Sequence, residues 1–237
     1  MFEPRVISVG SFLLPLSLLV IVLLAFLSVK ASERFSPQRE KIGKTVSDEL
    51  PTLLLIYVLV YKFGPAVFDL GRVFQNPFLL LYSSGSFKSG VMAILVMIVW
   101  LWYKLRKSPH VWQMVDVLAV AGLLIIVGYN VIIRDLGETT SLWWGWDGGE
   151  YRYHPLNVYR LVMLVPFSIW LLRRWRQLTP GHVSGWVFIS VGMAYTLSSF
   201  LDFSTNDLVA GLTTEQWLGL ALIVAGWGLQ LLLPKKL

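Results

Sequence analysis

Residues 6–29 read VISVGSFLLPLSLLVIVLLAFLSV, a run of 24 residues that contains no charged side chain. An α-helix rises about 1.5 Å per residue, so about 20 apolar residues cross the hydrocarbon core of a bilayer. The run therefore predicts a membrane-spanning helix. A cleaved signal peptide ending near Val29-Lys30-Ala31 is the alternative, but the run is longer than the apolar core of a usual signal peptide.

The composition of the whole chain agrees with this start. Of 237 residues, 56% are hydrophobic and 14% are charged, whereas soluble domains carry about 25% charged residues. A soluble enzyme, a disordered tail and a small disulfide-rich module are excluded. There is no cysteine, which rules out disulfides, thiolate metal sites and a cysteine nucleophile. No phosphate loop, dinucleotide fingerprint or paired-histidine zinc pattern occurs, so we expect no metal and no cofactor.

Six more apolar segments follow the first, which predicts an all-α, polytopic membrane protein with seven transmembrane helices in one domain, residues 1–237. The uncharged segment 73–87 is interrupted by Asn76-Pro77 and Ser83-Ser84-Gly85, and we interpret it as interfacial or re-entrant. The predicted spans are about 6–29, 50–65, 89–103, 117–133, 153–172, 182–201 and 216–234.

The basic residues predict the orientation of the chain. With the N-terminus outside and the C-terminus in the cytoplasm, 13 of the 20 Lys and Arg residues fall on the cytoplasmic side, as the positive-inside rule requires. The net charge of +6 is then explained by basic loops facing anionic lipid, so no nucleic-acid partner is expected.

Arg160 is the most informative ionisable residue, since it lies seven residues, or about 10 Å, into the predicted fifth span. Charges at membrane depth are costly and mark functional sites by default. Asn157 shares its helix face, and a guanidinium suits a lipid phosphate because it donates two parallel hydrogen bonds. The alternative is a structural ion pair with Asp202, Asp69 or Asp135.

Three further polar residues lie at predicted helix ends, and each has two interpretations. Lys88, among small residues at the outer end of the third span, contacts a lipid headgroup or simply snorkels. His154 is a titratable group at the entrance of the fifth helix or a hydrogen-bonded interfacial histidine. Asp116 is most simply a helix N-terminal charge that the dipole favours.

Several segments occur in the order of a known family. Asn76-Pro77 followed by Ser86-Phe87 resembles D-P…G-x-S-F-H-G-G, and residues 112–116 resemble the entry to that family's fourth helix. Residues 154–160, HPLNVYR, are similar to H-P-x-Q-L-Y-E, and the glycines of residues 184–192 match the sixth helix. Over most of its length the chain resembles the prolipoprotein diacylglyceryl transferase family.

Members of that family are seven-span enzymes of the bacterial inner membrane. They transfer the diacylglyceryl group of phosphatidylglycerol to the cysteine of a lipoprotein precursor. The resemblance implies phosphatidylglycerol or another anionic phospholipid as the ligand in the outer half of the bilayer. It also implies a lipoprotein precursor or a membrane partner, and the bacterial cytoplasmic membrane as the location.

This chain departs from the family at the family's functional positions. Lys88 stands in place of a histidine, and Arg160 in place of a glutamate. Residues 128–138 retain only the ends of the signature G-R-x-G-N-F-x-N-G-E. In the sixth helix, the family's tyrosine, arginine and glutamate are replaced by Val191, Tyr195 and Ser199.

An active enzyme would need cations on the phosphate and a base for the thiol. The candidate base is a partly desolvated Lys88, with His154 or Glu138 as alternatives. A catalytically silent relative that binds a lipid or a membrane partner is equally compatible with the sequence, and a small-solute transporter is a weaker alternative. The candidate phosphate-binding residues are Arg160, Arg134, Arg72, Asn157 and Tyr195.

Overall fold

The computed structural model of the protein describes residues 6–9, 12–37, 39–68, 70–76, 86–202, 208 and 210–234. Within them, seven helices of 17 to 30 residues run alternately in opposite directions. A six-residue helix, α3 (Leu70–Gln75), follows the second of them. The long helices are α1 (Leu16–Phe35), α2 (Arg39–Phe68), α4 (Phe87–Leu105), α5 (Val111–Ile132), α6 (Leu156–Arg174), α7 (His182–Ser198) and α8 (Thr214–Leu232).

Six helices of the described part of the chain are long and apolar enough to cross a membrane. Large apolar side chains such as Val162, Val224 and Leu231 are exposed on their outward faces, and an apolar surface of this extent is not typical of a soluble monomer. The helices fit a multi-pass membrane protein. The six segments are Asp48–Val67, Lys88–Leu105, Val111–Ile132, Leu156–Gln177, His182–Leu201 and Thr214–Leu232.

Residues 6–9 and 12–15 of the predicted span 6–29 form strands and not a helix. Strands β1 (Val6–Val9) and β2 (Phe12–Pro15) pair antiparallel with two residues between them in the chain, and α1 begins at Leu16. The sequence between the strands is Gly10-Ser11, a pair typical of two-residue hairpin connections. The prediction of one continuous helix was wrong here, because lack of charge does not distinguish a strand from a helix.

The other predicted spans agree more closely with the helices. Most boundaries of α4 to α8 lie within three residues of the prediction, but α5 begins six residues earlier than expected. The second span, predicted at 50–65, is part of the 30-residue α2, which continues through Pro51 and Pro65. Most of the segment predicted to be interfacial or re-entrant, residues 77–85, lies outside the described residues.

The polar loop between α5 and α6 forms an antiparallel sheet, so the protein is mostly helical rather than purely so. Strand β5 (Arg152–Pro155) lies between β3 (Leu136–Thr140) and β4 (Trp146–Asp147). Residues 153–155, predicted as the start of the fifth span, therefore belong to β5. We call the end of the bundle that carries this sheet the loop end, and the opposite end, with residues 106–110 and 175–181, the basic end.

Helices α7 and α8 approach each other at two pairs of glycines. A Cβ atom added to Gly192 would lie 2.5 Å from the carbonyl oxygen of Gly219, and one added to Gly226 would lie 2.5 Å from that of Gly185. Small residues of this kind let membrane helices pack backbone against backbone. The pairing sets the C-terminus of α7 beside the N-terminus of α8.

A buried carboxylate joins α5 to α7 at the basic end. Asp116 accepts hydrogen bonds from the backbone N–H groups of Gly181, at 2.7 Å, and Ser184, at 2.8 Å. These groups have no partner inside α7 because Gly181 is its N-cap residue and Ser184 lies in its first turn. The expectation that Asp116 is a charge at the start of its own helix was wrong, because α5 begins at Val111; the helix start that Asp116 caps is that of α7.

Candidate functional site

The candidate site is built around the guanidinium of Arg160, whose residue is 5% exposed. Its Nε donates to Ser198 Oγ at 2.8 Å, and its Nη1 donates to the Asp135 carboxylate. Its Nη2 lies 3.7 Å from Glu215 Oε2. Arg160 therefore connects α6 to three other parts of the loop end: the end of α7, the start of α8 and the chain just before β3.

The face of the guanidinium is covered as well as its edge. The Cζ atom of Arg160 lies 4.4 Å from the ring centroid of Tyr195, a distance typical of a cation–π contact. Tyr195 and Ser198 are three residues apart on α7, so they share a helix face. Two side chains of α7, Ser198 at the edge and Tyr195 at the face, thus fix the orientation of the guanidinium.

The ion-pair interpretation of Arg160 is confirmed for one of its three expected partners, Asp135. Asp69 lies outside the described residues, and Asp202 is near enough to Glu215 to interact with it electrostatically. Arg160 is the fifth residue of α6, so it lies about 6 Å along the helix axis and less deep than the sequence suggested.

The charges around Arg160 do not balance. One guanidinium is paired with two carboxylates, whose side chains remain 42% exposed in Asp135 and 38% exposed in Glu215. The formal charges of the three side chains sum to a negative value, and the donors of Arg160 are directed at protein atoms. An anion does not find a free guanidinium fork here, so a phosphate at Arg160 has to displace a carboxylate.

Asn157, one turn before Arg160, is fully buried and closes the end of α5. Its Nδ2 donates to the carbonyl oxygen of Asn130 at 3.1 Å, and its Oδ1 accepts from Trp146 Nε1 at 3.4 Å. The carbonyl of Asn130 is in the last turn of α5, where intrahelical partners are missing. Asn157 thus joins α5, α6 and β4 in a fully enclosed position.

Arg134 lies at the rim of the site. Its guanidinium stacks on the Trp146 ring, with Cζ 4.8 Å from the centroid, and its Nη2 donates to the carbonyl oxygen of Asp147 at 2.8 Å. Its Nε is buried and has no hydrogen-bond partner among the described residues. Arg134 therefore retains one guanidinium donor, Nε, that no described residue accepts.

His154 is hydrogen-bonded to a neighbouring tyrosine. Its Nδ1 lies 3.0 Å from the hydroxyl of Tyr159, which also accepts from Trp144 Nε1 at 3.1 Å. Because Trp144 supplies one proton to that oxygen, the hydroxyl proton is available to Nδ1. The interpretation of His154 as a hydrogen-bonded interfacial histidine fits this geometry.

The remaining predicted residues are not gathered around Arg160. Lys88 is exposed on the first turn of α4, so the partial desolvation that was predicted for its side chain is not found. Glu138 is exposed on β3. No described contact joins either residue to Arg160, and the side chain of Arg72 lies outside the described residues.

Two members of the site, Ser198 and Glu215, were not among the predicted site residues. The signal for Ser198 was its spacing of three from Tyr195, which places both on one helix face. Glu215 lies in the first turn of α8, and the pair Thr213 and Gln216, which forms a capping box there, marks that helix start in the sequence. The glycines of α7 and α8 then bring this helix start to Arg160.

Comparison of the sequence with protein-family models and with curated proteins gives no match. The function of the chain therefore has to be inferred from the geometry of the loop end.

Proposed function

We propose that the chain is a seven-span protein of the bacterial cytoplasmic membrane. It binds the headgroup of a phospholipid at the loop end and does not transfer the diacylglyceryl group. The seventh span in this proposal is α1, whose 20 residues have the length that a bilayer requires. The N-terminus and the loop end then lie outside, and the basic end lies in the cytoplasm.

The observation that carries the proposal is a half-buried cation, Arg134, at the same end of an apolar bundle as two half-exposed carboxylates, Asp135 and Glu215. Arg134 supplies guanidinium donors for one lipid phosphate. Asp135 and Glu215 supply carboxylate oxygens, which accept hydrogen bonds from hydroxyl groups. Phosphatidylglycerol offers both features, a phosphate and a glycerol with two hydroxyls. In this arrangement Arg160 orients the two carboxylates instead of holding the phosphate.

The positions of the candidate bases support the proposal that the chain carries out no transfer. Transfer to a thiol needs a base and phosphate-binding cations around one reacting centre. Lys88 and Glu138 are exposed and have no described contact with Arg160, while His154 is engaged with Tyr159. A lipid-binding protein does not need these groups to lie close together. The geometry therefore favours a catalytically silent lipid-binding protein over an active transferase.

The experiment is lipid retention by the purified protein, measured by native mass spectrometry after exchange into phosphatidylglycerol-containing nanodiscs. We expect Arg134→Gln to weaken phosphatidylglycerol retention at least about tenfold, the effect of losing a charged hydrogen bond. Arg152→Gln is the matched control, since Arg152 is an exposed arginine of strand β5 at the same end of the bundle and donates to the carbonyl oxygen of Trp143. Equal retention by the two variants would contradict the proposed site.

Catalysis is tested separately. We expect the purified protein to leave labelled phosphatidylglycerol unchanged in the presence of a lipoprotein-precursor peptide. In cells depleted of their own diacylglyceryl transferase, we expect precursors to stay unmodified when this chain is expressed. Lipid-modified precursors in either assay would show that the chain is an active transferase.

A further inference from the structure

An apolar groove of about 570 Å³ opens between α4, α5, α7 and α8. It lies in the half of the bundle toward the basic end, away from Arg160. Every residue that lines it is aliphatic, aromatic or glycine, and the lining includes Ile98, Leu101, Trp102, Leu118, Gly122 and Val191.

The groove is open on the side of α4. Ile98 and Trp102 line it and are still 55% and 63% exposed, on a helix that is long and apolar enough to cross a membrane. Water does not fill apolar cavities readily, and an empty groove forfeits dispersion contacts along its walls. A flexible chain of methylene groups has the chemistry to fill it from the surrounding hydrocarbon.

The basic end of the groove carries positive charge. Leu105 and Val111 line this end, and the turn between them contains Arg106 and Lys107. The guanidinium of Arg106 stacks on the groove residue Trp102, with Cζ 5.2 Å from the ring centroid.

The charge of Arg106 is not neutralised by the protein. The neighbouring Lys104 forms a salt bridge with Glu49 at 3.2 Å. Arg106 has no carboxylate partner in the part of the chain that the structure describes. A cation without a counter-ion thus lies at the mouth of an apolar groove, which is complementary to a lipid with an anionic headgroup.

We propose that this groove holds one acyl chain of an anionic phospholipid whose phosphate lies against Arg106 and Lys107. This second lipid site lies at the opposite end of the bundle from Arg160 and does not depend on the function proposed there. Burial of apolar surface does not supply its selectivity, because the acyl chain leaves a hydrocarbon environment to enter it. The selectivity comes from the two cations, each of which favours an anionic lipid about fivefold near a membrane surface.

The proposal is tested by a substitution, Gly122→Leu, that places a side chain inside the groove. A Cβ atom added to Gly122 meets no atom within 4 Å, so the leucine of Gly122→Leu begins in the open space of the groove. Gly228→Leu is the matched control, because the Cβ of Gly228 is also unobstructed and this residue does not line the groove. In nanodiscs of phosphatidylcholine with phosphatidylglycerol, native mass spectrometry should show one phospholipid fewer on Gly122→Leu than on Gly228→Leu.

The double variant Arg106→Gln, Lys107→Gln tests the headgroup. We expect it to lose roughly thirtyfold preference for phosphatidylglycerol over phosphatidylcholine at this site. A phosphatidylglycerol with a photoreactive acyl chain should label peptides of α4 and α5 in the unmodified protein, which keeps the test independent of variant folding. Equal lipid counts for the two leucine variants, no labelling of α4 or α5, or an adduct that is a detergent or a peptide would each overturn the proposal.

Discussion

The close packing of α7 on α8 predicts a large difference between two glycine substitutions that look alike in the sequence. In Gly192→Ala, the new Cβ atom lies 2.5 Å from the carbonyl oxygen of Gly219 and 3.1 Å from the backbone nitrogen of Ile223. A Cβ–oxygen contact is normally no shorter than about 3.3 Å, so the helices must separate by roughly 1 Å. Overpacking of this kind lowers the free energy of unfolding by about 1–3 kcal/mol. We expect Gly192→Ala to lie at the upper end of that range, because its neighbours are backbone atoms that cannot rotate away.

Gly228→Ala provides the reference, because its Cβ atom meets nothing within 4 Å. Both variants gain the same helix propensity, about 1 kcal/mol, so this gain cancels in their comparison. We expect Gly192→Ala to be about 3 kcal/mol less stable than Gly228→Ala in an unfolding titration with sodium dodecyl sulfate in mixed micelles, followed by circular dichroism. Stabilities within about 0.5 kcal/mol of each other would refute the close approach of the two helices.

Three other substitutions test the polar contacts. Arg160→Met should destabilise the protein by less than the about 3–5 kcal/mol typical of a fully buried pair, because its two carboxylates are partly exposed; the same titration measures this. Asp116→Asn should cost about 1.5–3 kcal/mol, since an amide accepts with one oxygen only, and hydrogen exchange at Gly181 and Ser184 should become faster. Asn157→Leu should cost about 1–3 kcal/mol by leaving the last turn of α5 unsatisfied, and an unchanged unfolding midpoint would contradict that contact.

The helices could be predicted from the sequence because a bilayer restricts them so strongly. Backbone groups inside hydrocarbon have to be paired within the segment, so an uncharged run of sufficient length is nearly enough to place a helix. The paired strands β1 and β2 show the limit of that rule. Lack of charge does not distinguish a strand from a helix, whereas Gly10-Ser11 between two apolar runs is typical of a hairpin connection.

The site was harder to predict than the helices because it depends on which helices are neighbours. Charge counting put Asp135 and Glu215 on the same side as Arg160, but it gave no reason to choose Glu215. Glu215 lies beside Arg160 because glycines bring α7 and α8 together. On each of these two helices the glycines are seven residues apart, a spacing of about two turns that keeps them on one face. Gly185 and Gly192 on α7 matching Gly219 and Gly226 on α8 would have predicted the pairing.

Helix α7 is held by polar contacts at both ends and by glycines along its length. Asp116 holds its first turn, and Arg160 holds Ser198 at its last turn. These groups are buried, so moving α7 would leave donors and acceptors unpaired in a place that water does not reach. Asp135 differs, because it belongs to the chain before β3 and its side chain is 42% exposed. A ligand that competes for the guanidinium would therefore replace Asp135 more readily than Ser198 or Tyr195.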